Sequence, residues 1–118
     1  MSKNYDQAID AWKDATEFAE DGEIFYRLAQ ALSNEDRHKE AVAAYRQALD
    51  NKGLKDELEV QFWLGISLMQ LEEWDDAKRA FTAAAKDKDR RKAANQYKAY
   101  INNEIKRQAA LAEMLSST

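Results

Sequence analysis

The apolar and small residues between positions 58 and 86 follow the spacing of two amphipathic helices joined by a short link. Within each helix they fall three or four positions apart, which places their side chains on one face. The residues that carry this pattern are Leu64, Gly65 and Leu68 in the first helix and Ala77, Phe81 and Ala84 in the second. The link Glu72-Glu73 is short, so we expect the two helices to pack antiparallel. Gly65 removes a side chain where the neighbouring helix must come close.

The same pattern occurs again upstream, which indicates a repeat protein. Thirty-six residues earlier, the equivalent positions hold Leu28, Ala29 and Leu32, followed by Ala41, Tyr45 and Ala48. A further thirty-three residues upstream, the second-helix half recurs as Ala8, Trp12 and Ala15.

Residues 4–20 are predicted to form one amphipathic helix that corresponds to the second half of a repeat. We expect the polypeptide to be a fragment of a longer protein that supplies the first half; a natural start with a lone capping helix is the alternative. Gly22 is expected to end this helix in the left-handed conformation. Without a partner helix, parts of Ile9 and Trp12 would face solvent, so a homodimer through residues 4–20 is expected. The predicted inward positions are Tyr5, Ala8, Ile9, Trp12, Ala15 and Ala19.

The rest of the chain continues the helical spacing. Four more helices are predicted over residues 23–33, 37–51, 55–71 and 74–86. Gly53 is expected to close the second of these at the left-handed position that follows a helix. Asp89 is the expected N-cap of a last long helix that runs to about residue 115. Such a terminal helix covers the last repeat of a stacked array.

The repeated pattern resembles the tetratricopeptide repeat family, whose unit is a helix-turn-helix of about 34 residues. The resemblance covers residues 3–86, and its A-x3-aromatic-x2-A part occurs in all three copies. The chain departs from the family at the opening aromatic position, where Phe25 and Gln61 stand, and it contains no proline. The resemblance implies an all-α solenoid of antiparallel helix pairs with a long C-terminal capping helix. It implies one domain over residues 1–118, divided into a half repeat (1–21), two repeats (22–55 and 56–88) and the capping helix (89–118).

Composition and charge limit the classes of partner that we expect for this chain. The chain of 118 residues is 45% hydrophobic and 34% charged, as expected of a folded helical protein. No stretch approaches the roughly 18 apolar residues of a membrane span, so we expect no direct membrane insertion. The net charge of −4 argues against nucleic acid. Residues 86–107 carry +5, which a solvated outer face explains; contact with acidic partners or phosphate is the alternative.

The sequence carries no catalytic signature, so we expect no enzymatic activity, no cofactor and no metal. The single histidine, His38, excludes paired-histidine metal motifs. It occupies the repeat position held by Tyr5 and Trp74, which indicates a packing role. The sequence also contains no cysteine and no glycine-rich phosphate loop.

In the tetratricopeptide repeat family, the first helix of each repeat lines a concave groove that holds a segment of another protein. The resemblance therefore implies a protein-protein interaction module, a scaffold or adaptor, whose peptide or protein partner stays unidentified. It places ten residues in the groove: Glu23, Tyr26, Arg27, Gln30, Ser33, Glu59, Phe62, Ile66, Met69 and Gln70. Burial against the last helix is the alternative for Phe62, Ile66 and Met69, and inter-helix packing is expected of Trp63. The competing function is a structural domain that self-associates through its terminal helices.

A narrower resemblance involves residues 51–56 and 90–97, with Tyr100-Ile101 following. These segments look like the C-terminal repeat region of gammaproteobacterial proteins encoded beside TonB/ExbB/ExbD transport systems. The resemblance implies a bacterial protein, and it favours the periplasm over the cytoplasm.

Overall fold

The computed structural model describes residues 3–16 and 21–117, with side chains from residues 6 to 15 and from 21 to 117. The described chain forms helices throughout and contains no strand. The six helices are α1 (Lys3–Thr16), α2 (Gly22–Asn34), α3 (His38–Asp50), α4 (Glu57–Gln70), α5 (Trp74–Ala84) and α6 (Arg91–Ser116). The predicted all-α solenoid is confirmed, and each described boundary from α2 onward lies within two residues of its predicted position.

The helices stack in chain order, each packing mainly on its sequence neighbours. Within the pairs α2/α3 and α4/α5, the small-large-small stripe of the second helix is fully buried. The exposed fraction is at most 1% for Ala41, Tyr45, Ala48, Ala77, Phe81 and Ala84. Alanine on either side of an aromatic ring lets the paired helices approach closely while the ring fills the space between them. The repeated stripe therefore builds one continuous core.

Both helix pairs turn through the same type of link, in which one residue adopts the left-handed conformation. Asp36 has φ 58° and Glu72, thirty-six residues later, has φ 59°. In each link, the backbone N–H of the following residue returns to a carbonyl five residues back, at 2.9 Å from Arg37 to Leu32 and 2.9 Å from Glu73 to Leu68. These bonds satisfy carbonyls at the helix end and turn the chain back on itself.

The two glycines at the inter-repeat junction act differently from the predictions. Gly22 does not end a helix in the left-handed conformation; it begins α2, and its N–H donates to the Lys52 carbonyl at 2.7 Å. Gly53 does have positive φ, at 95°, but α3 ends at Asp50 and Asn51 is extended, so Gly53 turns the chain beyond the cap. The junction requires both glycines because the start of α2 contacts the end of α3 and the link that follows it there.

The face of α1 that matches the buried stripes of later repeats is only partly covered. Ile9 is buried against α2 with 1% exposure, so the prediction that it faces solvent is wrong. Ala8 and Trp12 are half-buried, and Ala15, predicted to point inward, is exposed. Ile9 lies on the face of α1 that packs against α2. The stripe of α1 corresponds instead to the face that α3 and α5 turn toward α2 and α4, the first helices of their own pairs. The predicted inward positions Tyr5 and Ala19 lie outside the described side chains.

The start of α6 is held by Arg90 and Asp87, and the prediction of Asp89 as N-cap is wrong. The cap residue is Arg90, whose side chain makes no capping bond. Its guanidinium instead pairs with Asp87 and with Asp56 at 3.1 Å, while Asp87 Oδ1 accepts the Asp89 N–H at 3.0 Å. Asp56 caps α4 through the Glu59 N–H at 3.0 Å, so one carboxylate joins the starts of α4 and α6.

Candidate functional site

The surface formed by α2, α4 and α6, which we call the groove face, carries two cavities. The smaller has a volume of about 290 Å³ and lies between the C-terminal half of α2 and the middle of α4. Its lining residues are Gln30, Ser33, Asn34, Tyr45 and Trp63. Two side-chain amides and two hydroxyls meet one indole there, so this cavity offers hydrogen bonds together with an aromatic surface.

The larger cavity has a volume of about 440 Å³ and lies between the end of α4 and the first half of α6. Its lining residues are Met69, Gln70, Ala93, Gln96, Tyr97 and Tyr100. Tyr100 is 50% exposed and gives this cavity an open aromatic wall, which Met69 faces from the other side. A flexible thioether beside aromatic rings suits an apolar side chain of variable shape.

The two cavities occupy equivalent places in successive repeats. Ser33 and Asn34 line the smaller one, and the residues thirty-six positions later, Met69 and Gln70, line the larger. The repeat therefore places a cavity at the same point twice, and the substitution of methionine for serine makes the second more apolar. A ligand that crosses both cavities meets a polar site and then an apolar one.

Four of the ten predicted groove residues line these cavities, namely Gln30, Ser33, Met69 and Gln70. Tyr26 lies beneath the surface with 6% exposure, and its hydroxyl accepts a hydrogen bond from Gln30 Nε2 at 3.1 Å. Burial, followed by the charge of Glu59, raises the pKa of Tyr26 well above its ordinary value, so the phenol stays protonated. Tyr26 thus orients Gln30 rather than offering a contact surface of its own.

Phe62 packs mainly inside the protein. Its ring centroid lies 5.8 Å from that of Phe81 and 5.9 Å from that of Tyr97, which matches the alternative of burial against the last helix. Ile66 is half-buried and also packs against the core. These two side chains support the groove face from below, and neither lines a cavity.

The charged residues that the sequence predicted to line the groove lie outside both cavities. Glu59 is half-buried, with its carboxylate 3.5 Å from Arg90 Nη2, so it belongs to the network at the start of α6. Glu23 lies in the first turn of α2, and its backbone N–H donates to the capping Asp21 at 2.9 Å. Arg27 is exposed on α2.

Sequence reasoning missed the contribution of α6 and of one tryptophan. Trp63, predicted to pack between helices, is 38% exposed and lines the smaller cavity beside Gln30. Tyr97 and Tyr100 form the wall of the larger cavity, yet no residue of α6 was predicted to line the groove. The available signal was its position, because a helix after a complete pair takes the place of the first helix of another repeat.

Tyr45 forms the floor of the smaller cavity, and its phenol is uncharged. Burial raises the pKa of Tyr45 to about 12, a rise that the hydrogen bond with Ser33 partly offsets. The phenol therefore stays protonated at neutral pH. His38 has a packing environment, as predicted: its side chain is 16% exposed and its Nδ1 lies 3.3 Å from the buried Ser67 hydroxyl.

The described residues form neither a cluster of metal ligands nor a helix that could span a membrane. No group of three or more His, Cys, Asp or Glu side chains there is arranged to hold a metal ion. No helix among the described residues is long and apolar enough to cross a membrane.

Comparison with known proteins identifies the repeats. Residues 22–52 and residues 59–87 each match the tetratricopeptide repeat, and together these segments cover just over half of the chain. A comparison with curated proteins found no match. Neither repeat match concerns proteins encoded beside TonB/ExbB/ExbD systems, so that resemblance stays a prediction.

Proposed function

Because the chain belongs to the tetratricopeptide repeat family, we propose that its groove face binds a peptide segment of another protein. Repeats of this family generally mediate protein-protein interaction. The observation that carries the proposal is the pair of repeat-equivalent cavities across α2, α4 and α6. Each cavity is concave and combines apolar surface with a few polar groups, which is the usual composition of a ligand site.

The chemistry of the cavities defines the class of peptide. The smaller cavity, with Gln30, Ser33 and Asn34, suits a polar side chain or a backbone amide that can both donate and accept hydrogen bonds. The larger cavity, between Met69 and Tyr100, suits an aromatic or long aliphatic side chain. The preferred ligand is therefore a segment with a polar position and an apolar position, and the apolar anchor supplies most of the affinity.

Replacing Tyr100 by alanine is expected to weaken peptide binding about tenfold or more, because the larger cavity loses its open aromatic wall. Peptides selected from a random library on the immobilised protein supply the probe, and fluorescence anisotropy measures the dissociation constant. The selected peptides should share an aromatic or aliphatic residue.

The matched control is Thr82→Ala on α5, whose exposed side chain lies outside both groove-face cavities. It should leave the dissociation constant unchanged. Equal losses for Tyr100→Ala and Thr82→Ala, or selected peptides without a shared apolar residue, would contradict binding at the larger cavity. Circular dichroism of both variants checks that the helices persist.

Self-association is a second candidate function, favoured by the uncovered face of α1. In the complete pairs the equivalent stripes are at most 1% exposed, whereas Ala8 and Trp12 are half-buried and Ala15 is exposed. A second copy that places its own α1 on this face would bury the stripe, which gives a homodimer through residues 4–20. The buried Ile9 contributes nothing to that interface.

An Ala15→Glu variant tests this candidate without disturbing the core, since Ala15 is exposed. If α1 faces pair, the added charge should abolish the dimer that light scattering detects at high concentration. Gln47→Glu adds the same charge at an exposed position of α3 and should have no effect. A dimer that survives Ala15→Glu, or its absence from the unmodified protein, would exclude pairing through α1.

A further inference from the structure

A second stripe of α6, which starts at Tyr97 beside the core and continues outside it, follows the spacing of a coiled coil. Tyr97, Tyr100, Glu104, Arg107, Leu111 and Met114 are separated alternately by three and four positions. This is the a and d spacing along which two helices pack knobs into holes. The inner positions of the same helix are different residues, among them the fully buried Ala94 and Ile101. The stripe that we call the α6 seam consists of its five outer members, from Tyr100 to Met114.

The α6 seam is open to solvent at its apolar positions. Tyr100 is 50% exposed, Leu111 is 44% exposed and Met114 is 65% exposed. Gln108 ties α6 to the stack: it accepts a hydrogen bond from Trp74 Nε1 at 3.2 Å and donates one to Glu72 at 3.1 Å. Every residue from 109 to 117 is exposed, so this part of α6 carries apolar side chains along a helix that the stack does not cover.

The charged centre of the seam is self-complementary. Arg107 Nη2 lies 2.7 Å from a Glu104 carboxylate oxygen within the same helix. When two such helices run antiparallel, a positions face d positions, so Glu104 meets the partner's Arg107 and Tyr100 meets the partner's Leu111. A guanidinium has enough N–H donors to serve both carboxylates. A parallel pair would place Glu104 on Glu104 and Arg107 on Arg107, which like-charge repulsion disfavours.

We propose that a second copy of this chain pairs with α6 through the α6 seam, the two helices antiparallel, with Glu104 against the partner's Arg107. The order apolar, acidic, basic, apolar is complementary to its own reverse, as a two-fold interface requires, because each acidic position then faces a basic one. The pairing forms only four layers within the seam, so the dimer is reversible and forms as concentration rises. Tyr100 also lines the larger cavity, so pairing of α6 and peptide binding at that cavity exclude each other.

Reversing a charge at the centre of the seam tests whether Glu104 faces the partner's Arg107, because only that register predicts the results below. E104R or R107E alone places like charges at both central contacts of the dimer and should raise the dissociation constant at least about a hundredfold. An equimolar mixture of the two variants restores opposite charges at both contacts, so it should form a heterodimer. Sedimentation equilibrium gives each dissociation constant from the average mass in solution, compared with the monomer mass of 13.6 kDa.

The matched control is K106E, which has the same charge change as R107E at an exposed position outside the α6 seam. It should dimerise like the unmodified protein. The proposal is overturned if the unmodified protein stays monomeric, if either single variant dimerises normally, or if the mixture stays monomeric. A dimer lost on Ala15→Glu but retained in E104R would assign self-association to α1 and likewise overturn it. No peptide enters these measurements, so their failure leaves the proposal for the groove face standing.

Discussion

Replacing Phe81 by alanine is expected to lower the free energy of unfolding by about 3 to 5 kcal/mol, the loss typical of a buried phenylalanine. Phe81 is fully buried and is the point where three helices meet. From α5 its ring stacks on Tyr97 of α6, with centroids 5.1 Å apart, and packs edge-on against Phe62 of α4 at 5.8 Å. Alanine would leave a cavity and remove both aromatic contacts. Urea denaturation followed by circular dichroism measures the change.

The same site predicts a coupling with Gly65. A Cβ at position 65 would lie 2.9 Å from Phe81 Cε1, closer than atoms in van der Waals contact approach. Gly65→Ala alone should therefore cost about 1 to 2 kcal/mol, since overpacking outweighs the gain in helix propensity. Once Phe81 is alanine the clash is gone and the added methyl partly fills the cavity. The double variant should then lose less free energy of unfolding than the two single variants added together, by about 1 kcal/mol or more.

The neighbouring Thr82→Ala is the control for this cycle, because Thr82 is exposed and its substitution should change stability by less than about 0.5 kcal/mol. Strictly additive losses in the Gly65 and Phe81 variants would contradict the close contact between them. Ala29 holds the equivalent of position 65 in the preceding repeat with full burial, so the requirement for glycine belongs to the pair α4/α5 alone.

Replacing Gly22 by alanine is expected to cost about 2 to 3 kcal/mol, near the upper end for overpacking. A Cβ at position 22 would lie 2.6 Å from the Ala48 carbonyl oxygen and 3.2 Å from that of Asn51. Both atoms belong to the backbone at the end of α3, which cannot move aside as a flexible side chain can. Relief would require α2 to shift away from α3, and the hydrogen bond from Gly22 to Lys52 would be strained.

Thermal and urea unfolding of Gly22→Ala measure this effect, with Glu23→Ala as the neighbouring control. Glu23 is half-buried, and only its backbone N–H makes the capping bond to Asp21, so its truncation should change stability by less than about 0.5 kcal/mol. A Gly22→Ala protein as stable as the unmodified one would show that the junction between α2 and α3 can relax. The glycine would then be dispensable.

The sequence predicted the helices well because their signal is local. Spacings of three and four positions depend only on the geometry of a single helix, and the thirty-six-residue repetition of the Leu28 and Leu64 segments predicted two equivalent pairs. The predictions for glycines and caps were less accurate. Gly22 was interpreted from its sequence position after a helix, but its role comes from α3, whose end packs against it. Asp89 was interpreted as a cap, but Asp87 and Arg90 hold the start of α6 through a contact with Asp56 on α4.

The candidate site was predicted in part. Repeat matching identified α2 and α4 and four of the cavity-lining residues, because residues at equivalent positions recur with the repeat. It did not separate side chains that line a cavity from those that support it. Tyr26 and Phe62 occupy predicted groove positions, yet Tyr26 is buried beside Tyr45 and Phe62 is half-buried beside Phe81. That distinction depends on what a second helix places opposite each residue.

The sequence by itself determined the fold class and the positions that build the core, because helical periodicity and small residues beside aromatic rings act within one repeat. Only the tertiary structure decided which surfaces remain open. Trp63 and Tyr100 are as hydrophobic as the buried aromatic residues, but the stacking of α2, α4 and α6 leaves both beside cavities. Exposure is set by the neighbouring helices rather than by the residue's own hydrophobicity. Ile9 is therefore buried against α2, whereas Leu111, on the uncovered part of α6, is exposed.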